Sequence, residues 1–163
     1  MKIQGEKIAS WGENVFVKIP ITNTKGVSTN SVVRYLANNG VKVNVTALMT
    51  NAQVAQVVEA LNPNVDSYVS VFAGRIADTG RDPMPIMKEC IKTLSQNNKS
   101  ELIWASPREL LNVFQADQIG CQVITATRDI LDKLKLVGYD LNEYSRETVK
   151  MFFDDARSSG FNI

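Results

Sequence analysis

A lysine stands in the middle of a short apolar run near the start of the sequence. Val15 to Ile19 reads VFVKI, and the run continues through Pro20 and Ile21. Lysine is rarely buried unless it is paired or used. Burial inside an apolar strand disfavours the ammonium and leaves a neutral amine that attacks carbonyl carbons. The pattern predicts that Lys18 is a Schiff-base nucleophile; the alternative is a lysine at a strand end whose ammonium reaches water.

Further candidate side chains stand at or just after the ends of later strand-like runs. They are Asn44 and Thr46, Ser70, Phe72 and Arg75, Ser106 and Arg108, and Thr125 and Thr127. Ligands of parallel α/β sheets bind at the carboxyl ends of the strands, so we expect one common site. The loop GRIADTGRDP, which holds Arg75, is otherwise typical of a solvated turn, and its Asp78 and Asp82 are possible acid-base groups without a defined position.

Ser106 and Arg108 stand where a helix is predicted to begin. Ser106 is a typical N-cap, Pro107 suits the first helical position, and Gly120 follows the last. Free backbone N–H groups at a helix N-terminus attract anions, so a phosphate is plausible here. The alternative is that Ser106 only caps the helix and Arg108 is solvated.

Composition limits the chemistry. The 163 residues include no histidine, which removes Ser-His and Cys-His nucleophilic sites and the commonest transition-metal ligand. Cys90 and Cys121 are expected to be buried thiols without a disulfide. A net charge of +1 indicates neither nucleic acid nor membrane as a partner, and leaves a small molecule or another copy of the chain. Without a signal-like or membrane-spanning run, the expected location is cytoplasmic.

Strand-like and helical runs alternate along most of the chain. The predicted strands are Val15 to Ile19, Lys42 to Ala47, Ser67 to Phe72, Glu101 to Ser106 and Cys121 to Thr125. The predicted helices are Ser31 to Asn39, Asn51 to Leu61, Pro85 to Gln96, Pro107 to Ile119, Arg128 to Leu136 and Ser145 to Ser159. This order predicts parallel strands with crossover helices. In the fourth helix Leu110, Leu111 and Phe114 share one face, and in the last helix we assign Val149, Phe152, Phe153 and Ala156 to core packing.

Such a pattern forms an open doubly wound sheet or part of a (β/α)8 barrel. A complete barrel takes typically ~250 residues and eight strands, so this chain cannot close one. A doubly wound nucleotide binder fits the strand count but lacks a glycine-rich phosphate loop after any strand.

The sequence resembles the transaldolase family, including its small branch and the related fructose-6-phosphate aldolases. The matching segments are VFVKIPIT, VNVTA, YVSVFAGRIADTG, ASPR and IGCQVITAT, and the resemblance extends from about Ala9 to the C-terminus. It implies a TIM-barrel fold and a transferase of carbohydrate metabolism, in the pentose phosphate pathway, without metal or organic cofactor. The implied substrates are fructose 6-phosphate, erythrose 4-phosphate and sedoheptulose 7-phosphate, and a homo-oligomer is expected.

The resemblance also implies roles for individual residues. Lys18 matches the imine-forming lysine, and Thr46 the threonine that positions the water used in proton transfer. Asn44 and Ser70 match residues that hold substrate hydroxyls. Three further residues match the phosphate site: Arg75, Ser106 and Arg108. Phe72 stands where the aldolases have tyrosine, which favours transaldolase. Val71 and Ala73 are minor departures from the family's usual proline and valine.

The resemblance covers only part of the family's barrel. The matched strands are the fourth to the eighth, so residues 1–163 are expected to form a single, N-terminally incomplete domain with two unpaired sheet edges. No residue matches the aspartate of the first strand, which is the acid-base group, the glutamate of the third, or the threonine- and asparagine-containing segment of the second. Two hypotheses follow: a Schiff-base transferase, or a non-catalytic or assembly-dependent partial barrel that retains a sugar-phosphate site.

Overall fold

Five parallel strands form one sheet in the computed structural model, which describes residues 1–160. They are β1 (Val17–Pro20), β2 (Val43–Leu48), β3 (Ser67–Val71), β4 (Ser100–Trp104) and β5 (Val123–Ile124). Their order in the sheet is their order in the chain, and every neighbouring pair is parallel. A doubly wound sheet reverses its strand order, whereas a barrel does not. The fold is therefore a partial α/β barrel, as predicted.

Helices connect the strands and follow the last one. They are α1 (Lys2–Ala9), α2 (Asn30–Asn38), α3 (Asn51–Val58), α4 (Ala73–Ala77), α5 (Pro83–Leu94), α6 (Leu111–Gln118), α7 (Arg128–Asp132) and α8 (Leu141–Ser158), with a 3₁₀ helix (Lys133–Leu136) after α7. None of the helices within residues 1–160 is both long and apolar enough to cross a membrane.

The two faces of the sheet differ in composition. The packed face carries Val17, Ile19, Val43, Val45, Leu48, Val69, Val71, Leu102 and Trp104, all buried. Helices α2, α3 and α5 cover it with Val33, Leu36, Val54, Val57, Met87 and Cys90. The opposite face, here called the polar face, carries Lys18, Asn44, Thr46, Tyr68, Ser70 and Glu101. Alternation along each strand separates these two sets of side chains.

Cys90 is a buried free thiol, as predicted, whereas Cys121 is a free thiol that is only half-buried. Burial raises the pKa of the Cys90 thiol to about 12 and also raises the pKa of Cys121. Cys90 packs in the core beneath the sheet, where it acts as a small apolar side chain.

The predicted start of the fourth crossover helix is wrong. Helix α6 begins at Leu111, so neither Ser106 as N-cap nor Pro107 as first helical residue is correct. Ser106 has φ +61°, in the left-handed region, whereas an N-cap residue is extended. Leu111 and Phe114 are largely exposed, and Asn112 and Ala116 are the buried residues of the helix.

The last helix forms as predicted, but its predicted packing is wrong. Val149, Phe152 and Phe153 are about 60% exposed, and no residue of α8 is buried. Helical spacing of apolar residues identifies a face that favours burial without specifying what buries it. Within residues 1–160 the face formed by these three side chains is uncovered.

Candidate functional site

Three neighbouring strands bring polar side chains together on the polar face. Lys18 of β1 pairs in register with Asn44 of β2, and paired residues of parallel strands point to the same side. The Ser70 hydroxyl of β3 donates a hydrogen bond of 2.7 Å to Asn44 Oδ1. Lys18, Asn44 and Ser70 thus lie on adjacent strands of one surface, as the sequence predicted for residues at the strand ends.

The predicted desolvation of Lys18 is wrong for this structure. Its side chain is exposed, whereas the flanking Val17 and Ile19 are buried on the other face. The physical reason is the position of β1, which within residues 1–160 pairs with β2 alone and lies at a sheet edge. Lys18 therefore lies in the arrangement given as the alternative, with its ammonium open to water.

Thr46 occupies an irregular part of β2. The register between β2 and β3 shifts between Val45 and Leu48, and Ala47 in that interval has φ +65°. Thr46 is buried, and its Oγ1 finds no hydrogen-bond partner among residues 1–160. A buried hydroxyl without a partner is unfavourable unless a ligand or water satisfies it. In this arrangement the Thr46 hydroxyl is enclosed and unsatisfied by residues 1–160.

The segment after β3 lies directly against the segment after β4. A Cβ added to Gly74 would stand 1.6 Å from the backbone oxygen of Ser106, so only glycine allows this approach. Arg75 follows at once, with its guanidinium carbon 5.7 Å from the centre of the Phe72 ring, in cation–π range. The close approach places the start of α4 beside Ser106.

Ser106 and Arg108 lie in a turn rather than in the first turn of a helix. The Ser106 N–H donates to Thr125 Oγ1 at 3.2 Å, which ties the turn to the end of β5. Arg108 forms an ion pair with Asp78, with a distance of 3.0 Å from Nε to Oδ1 and a second contact from Nη2 to Oδ2. Since α6 begins at Leu111, the predicted helix N-terminus does not support an anion at Ser106.

Two residues of this region were not predicted as parts of the site. Asn112 is buried, and its Oδ1 accepts hydrogen bonds from the N–H groups of Arg108 at 2.7 Å and Glu109 at 3.2 Å. Asp78 was named only as a possible acid or base, yet it pairs with Arg108. The signal for Asn112 was its ability to bond backbone amides a few residues away, which Asn does often. Nothing local signalled the Asp78 pair, which spans 30 residues.

Two other candidate residues, Asp82 and Thr127, lie at the starts of helices. Asp82 is the N-cap of α5, where its Oδ1 accepts from the Met84 N–H at 2.9 Å. Thr127 precedes α7, and a hydrogen bond from its hydroxyl lowers the pKa of Asp129. Within residues 1–160, neither side chain forms a hydrogen bond or ion pair with Ser106 or Arg108.

Comparison with known proteins identifies the family of the chain. The model of the family described as Transaldolase/Fructose-6-phosphate aldolase matches residues 1–163. This chain belongs to that family. Its partial barrel, with the lysine strand at one edge, is thus part of the α/β barrel fold of the transaldolase family.

Curated relatives of this family are similar over most of the chain. A probable transaldolase of Sulfurihydrogenibium sp. (strain YO3AOP1) is 36% identical over 135 residues, and one of Methanococcus maripaludis (strain C5 / ATCC BAA-1333) is 33% identical over 132. A probable transaldolase of Nitrosopumilus maritimus (strain SCM1) is 32% identical over 134 residues. Each match covers 80% of this chain but only 56 to 58% of the relative. The chain therefore spans less than three fifths of the length of these relatives.

Proposed function

We propose that this chain carries transaldolase-type chemistry on a Schiff base at Lys18. The lysine amine attacks the C2 carbonyl of a ketose phosphate, and loss of water gives the imine. Cleavage of the C3–C4 bond leaves a three-carbon dihydroxyacetone unit on the lysine and releases an aldose phosphate. The bound unit then adds to a second aldose phosphate, and water hydrolyses the imine. Fructose 6-phosphate, erythrose 4-phosphate and sedoheptulose 7-phosphate, the intermediates of the pentose phosphate pathway, are the proposed substrates.

The observation that carries this proposal is the shared surface of Lys18, Asn44 and Ser70. The exposed Lys18 side chain is accessible to a ketose, and its register partner Asn44 is the nearest residue of β2 along the sheet. The Ser70 hydroxyl bonds Asn44 Oδ1, and the Asn44 amide nitrogen makes no hydrogen bond within residues 1–160, so we propose that it donates to a substrate hydroxyl. Family membership supports the same assignment.

Thr46 and Phe72 complete the proposed site. The buried Thr46 hydroxyl, without a partner within residues 1–160, is proposed to hold the water that moves protons during imine formation. Phe72 has no ionisable hydroxyl, so it cannot replace a tyrosine in proton transfer. That difference favours the transferase over a fructose-6-phosphate aldolase, which is the alternative activity within the family.

The proposed phosphate site is the region where α4 meets the turn after β4. Arg75 and Arg108 supply cationic N–H donors, and Ser106 supplies a hydroxyl. The close approach at Gly74 brings these elements together. A phosphate held there would fix one end of the sugar while its carbonyl reaches Lys18.

The two candidate functions, transfer and sugar-phosphate binding without transfer, differ in their need for an acid-base group. Asp78 is paired with Arg108 and Asp82 caps α5, so neither is free to exchange protons with an imine. Imine formation at Lys18 can exchange its protons with water, whereas transfer also needs a general acid-base group on the polar face. The exposure of Lys18 thus favours, as second candidate, an assembly-dependent or non-catalytic partial barrel that binds sugar phosphates. A homo-oligomer remains a prediction, with the uncovered face of α8 as the proposed contact.

Borohydride trapping tests the proposal. We expect the chain incubated with fructose 6-phosphate and borohydride to carry one reduced adduct, located on Lys18 by peptide mass mapping. Lys18→Met should abolish the adduct. Lys25→Met is the matched control, because Lys25 is an exposed lysine of a turn whose side chain forms no ion pair within residues 1–160. An equal yield from Lys18→Met would reject the proposed nucleophile.

A transfer assay then distinguishes the two candidates. Formation of sedoheptulose 7-phosphate from fructose 6-phosphate and erythrose 4-phosphate would support the transferase. An adduct on Lys18 without transfer would support the partial barrel that needs a further component.

A further inference from the structure

Asp78 and Arg108 form a two-contact ion pair across the proposed phosphate site. Asp78 is the C-cap residue directly after α4, and Arg108 lies in the turn after β4. Arginine has five N–H donors in a planar group, and two of them point to the Asp78 carboxylate through Nε and Nη2. The three remaining donors, one on Nη2 and two on Nη1, make no hydrogen bond within residues 1–160. The edge formed by Nη1 and Nη2, here called the free edge, can receive a second anion in the same plane.

The backbone on both sides of this pair is fixed. Gly74 lies against the Ser106 carbonyl, and the Asp78 N–H donates to Gly74 O at 2.9 Å, so α4 is tied to that contact. The buried Asn112 holds the Arg108 N–H at 2.7 Å. With both backbones held, the carboxylate determines the direction in which the guanidinium points.

The pair is a poor candidate for stabilising the fold. The side chains of Arg108 and Asp78 are 46% and 52% exposed, and ion pairs of that exposure contribute little to stability. Two parallel N–H to oxygen contacts nevertheless restrict the rotation of a long side chain. The effect of Asp78 is therefore expected on the orientation of Arg108.

We propose that Asp78 is a positioning residue of the anion site, which holds the Arg108 guanidinium so that its free edge faces the phosphate of a sugar phosphate. This inference rests on the proposed function. Two effects oppose each other here, because Asp78 orients Arg108 but also places a negative charge near the anion. The proposal states that the orientation dominates, since an arginine fixed in advance loses less side-chain entropy on binding.

Two substitutions at the same position separate these effects. Asp78→Ala removes both the charge and the contact, whereas Asp78→Asn removes the charge but keeps an oxygen that accepts from Nε. Calorimetric titration of the full chain with inorganic phosphate, and separately with fructose 6-phosphate, measures the affinity. We expect Asp78→Ala to weaken binding about three- to tenfold and Asp78→Asn to bind within about twofold of the original chain. Phosphate that binds Asp78→Ala equally or more tightly would overturn the proposal.

Glu109→Ala is the matched control. Glu109 is an exposed carboxylate next to Arg108 whose side chain forms no hydrogen bond or ion pair within residues 1–160. If Asp78 acted only through local charge, Glu109→Ala and Asp78→Ala should change the affinity in the same direction. We expect weakening in Asp78→Ala alone. Where the chain turns over, KM for fructose 6-phosphate should rise with kcat unchanged.

Failure of this inference is distinguishable from failure of the proposed chemistry. Borohydride trapping with unphosphorylated dihydroxyacetone requires Lys18 but not the anion site, so Asp78→Ala should give the same adduct yield as the original chain. Absence of any adduct, together with phosphate binding that depends on Asp78, would reject the Schiff-base function and retain the inference. An adduct on Lys18 with no phosphate binding by the original chain would retain the Schiff-base function and reject the inference about Asp78.

Discussion

The two faces of the sheet carry apolar and polar side chains, respectively, on the same strands. On the packed face, branched and aromatic side chains such as Val45, Leu48 and Trp104 are fully buried against helices. On the polar face, the intervening positions carry Lys18, Asn44 and Ser70. Since successive side chains of a strand alternate between faces, packing on one side fixes the register that brings the polar residues together on the other. The side chains that form the core and those of the proposed site are therefore different residues of the same strands.

A substitution on each face should separate stability from chemistry. Leu48→Ala removes a fully buried side chain and should lower the free energy of unfolding by about 2–5 kcal/mol. Lys18→Met, on the polar face, should change it by less than about 0.5 kcal/mol while abolishing the adduct. Urea unfolding followed by circular dichroism measures both. Equal losses would show that the polar face also contributes to the core.

Gly74 lies where α4 contacts Ser106 of the proposed phosphate site, so a substitution there should affect both stability and phosphate binding. Gly74→Ala places a methyl group where the Ser106 carbonyl stands, and carbonyl backbone cannot rotate away, so the contact between α4 and the turn must open. We expect a loss of about 1–3 kcal/mol in the free energy of unfolding and weaker phosphate binding. Calorimetric titration and urea unfolding measure the two effects.

Ala77→Ser, an exposed change on the same helix, is the control for Gly74→Ala. It should alter neither quantity by more than about 0.5 kcal/mol. Normal phosphate affinity in Gly74→Ala would mean that the close approach is unnecessary for the anion site.

The sequence was sufficient to predict the sheet and the lysine strand. Runs of branched residues bounded by turn formers located every strand within a few residues, and their alternation with helices gave parallel pairing. Lys18 could be singled out because a charged residue interrupts an apolar run. The family resemblance, now supported by the match over residues 1–163, supplied the barrel topology.

The errors arose where tertiary contacts override local signals. Ser106 and Pro107 have the types of a helix start, but contacts with Gly74 and Thr125 hold Ser106 in a left-handed turn. The exposure of Lys18 depends on which element lies beside β1. The apolar run around Lys18 carries no information on that neighbour. The pairing of Asp78 with Arg108 joins residues 30 positions apart, and single-sequence patterns carry no information on such pairs.

The Cys90 thiol, which is buried in the core beneath the packed face, gives the smallest expected change in stability. Burial raises its pKa in the folded protein to about 12, above the ordinary value of 9.0. Below pH 9 both the folded and unfolded states keep the proton, so the thiol adds no pH dependence. Between pH 9 and 12 only the unfolded state loses it, which favours unfolding. We expect a loss of about 1 kcal/mol at pH 10 relative to pH 8, measured by urea unfolding.

Cys90→Ala should remove that part of the alkaline decline, although the smaller side chain lowers stability at every pH. The slope of stability against pH, rather than its absolute value, is therefore the informative quantity. An identical slope in both proteins would mean that Cys90 is accessible to base in the folded state, and that the packed face is looser than its complete burial indicates. A shallower slope in Cys90→Ala would place Cys90 inside a core that remains closed.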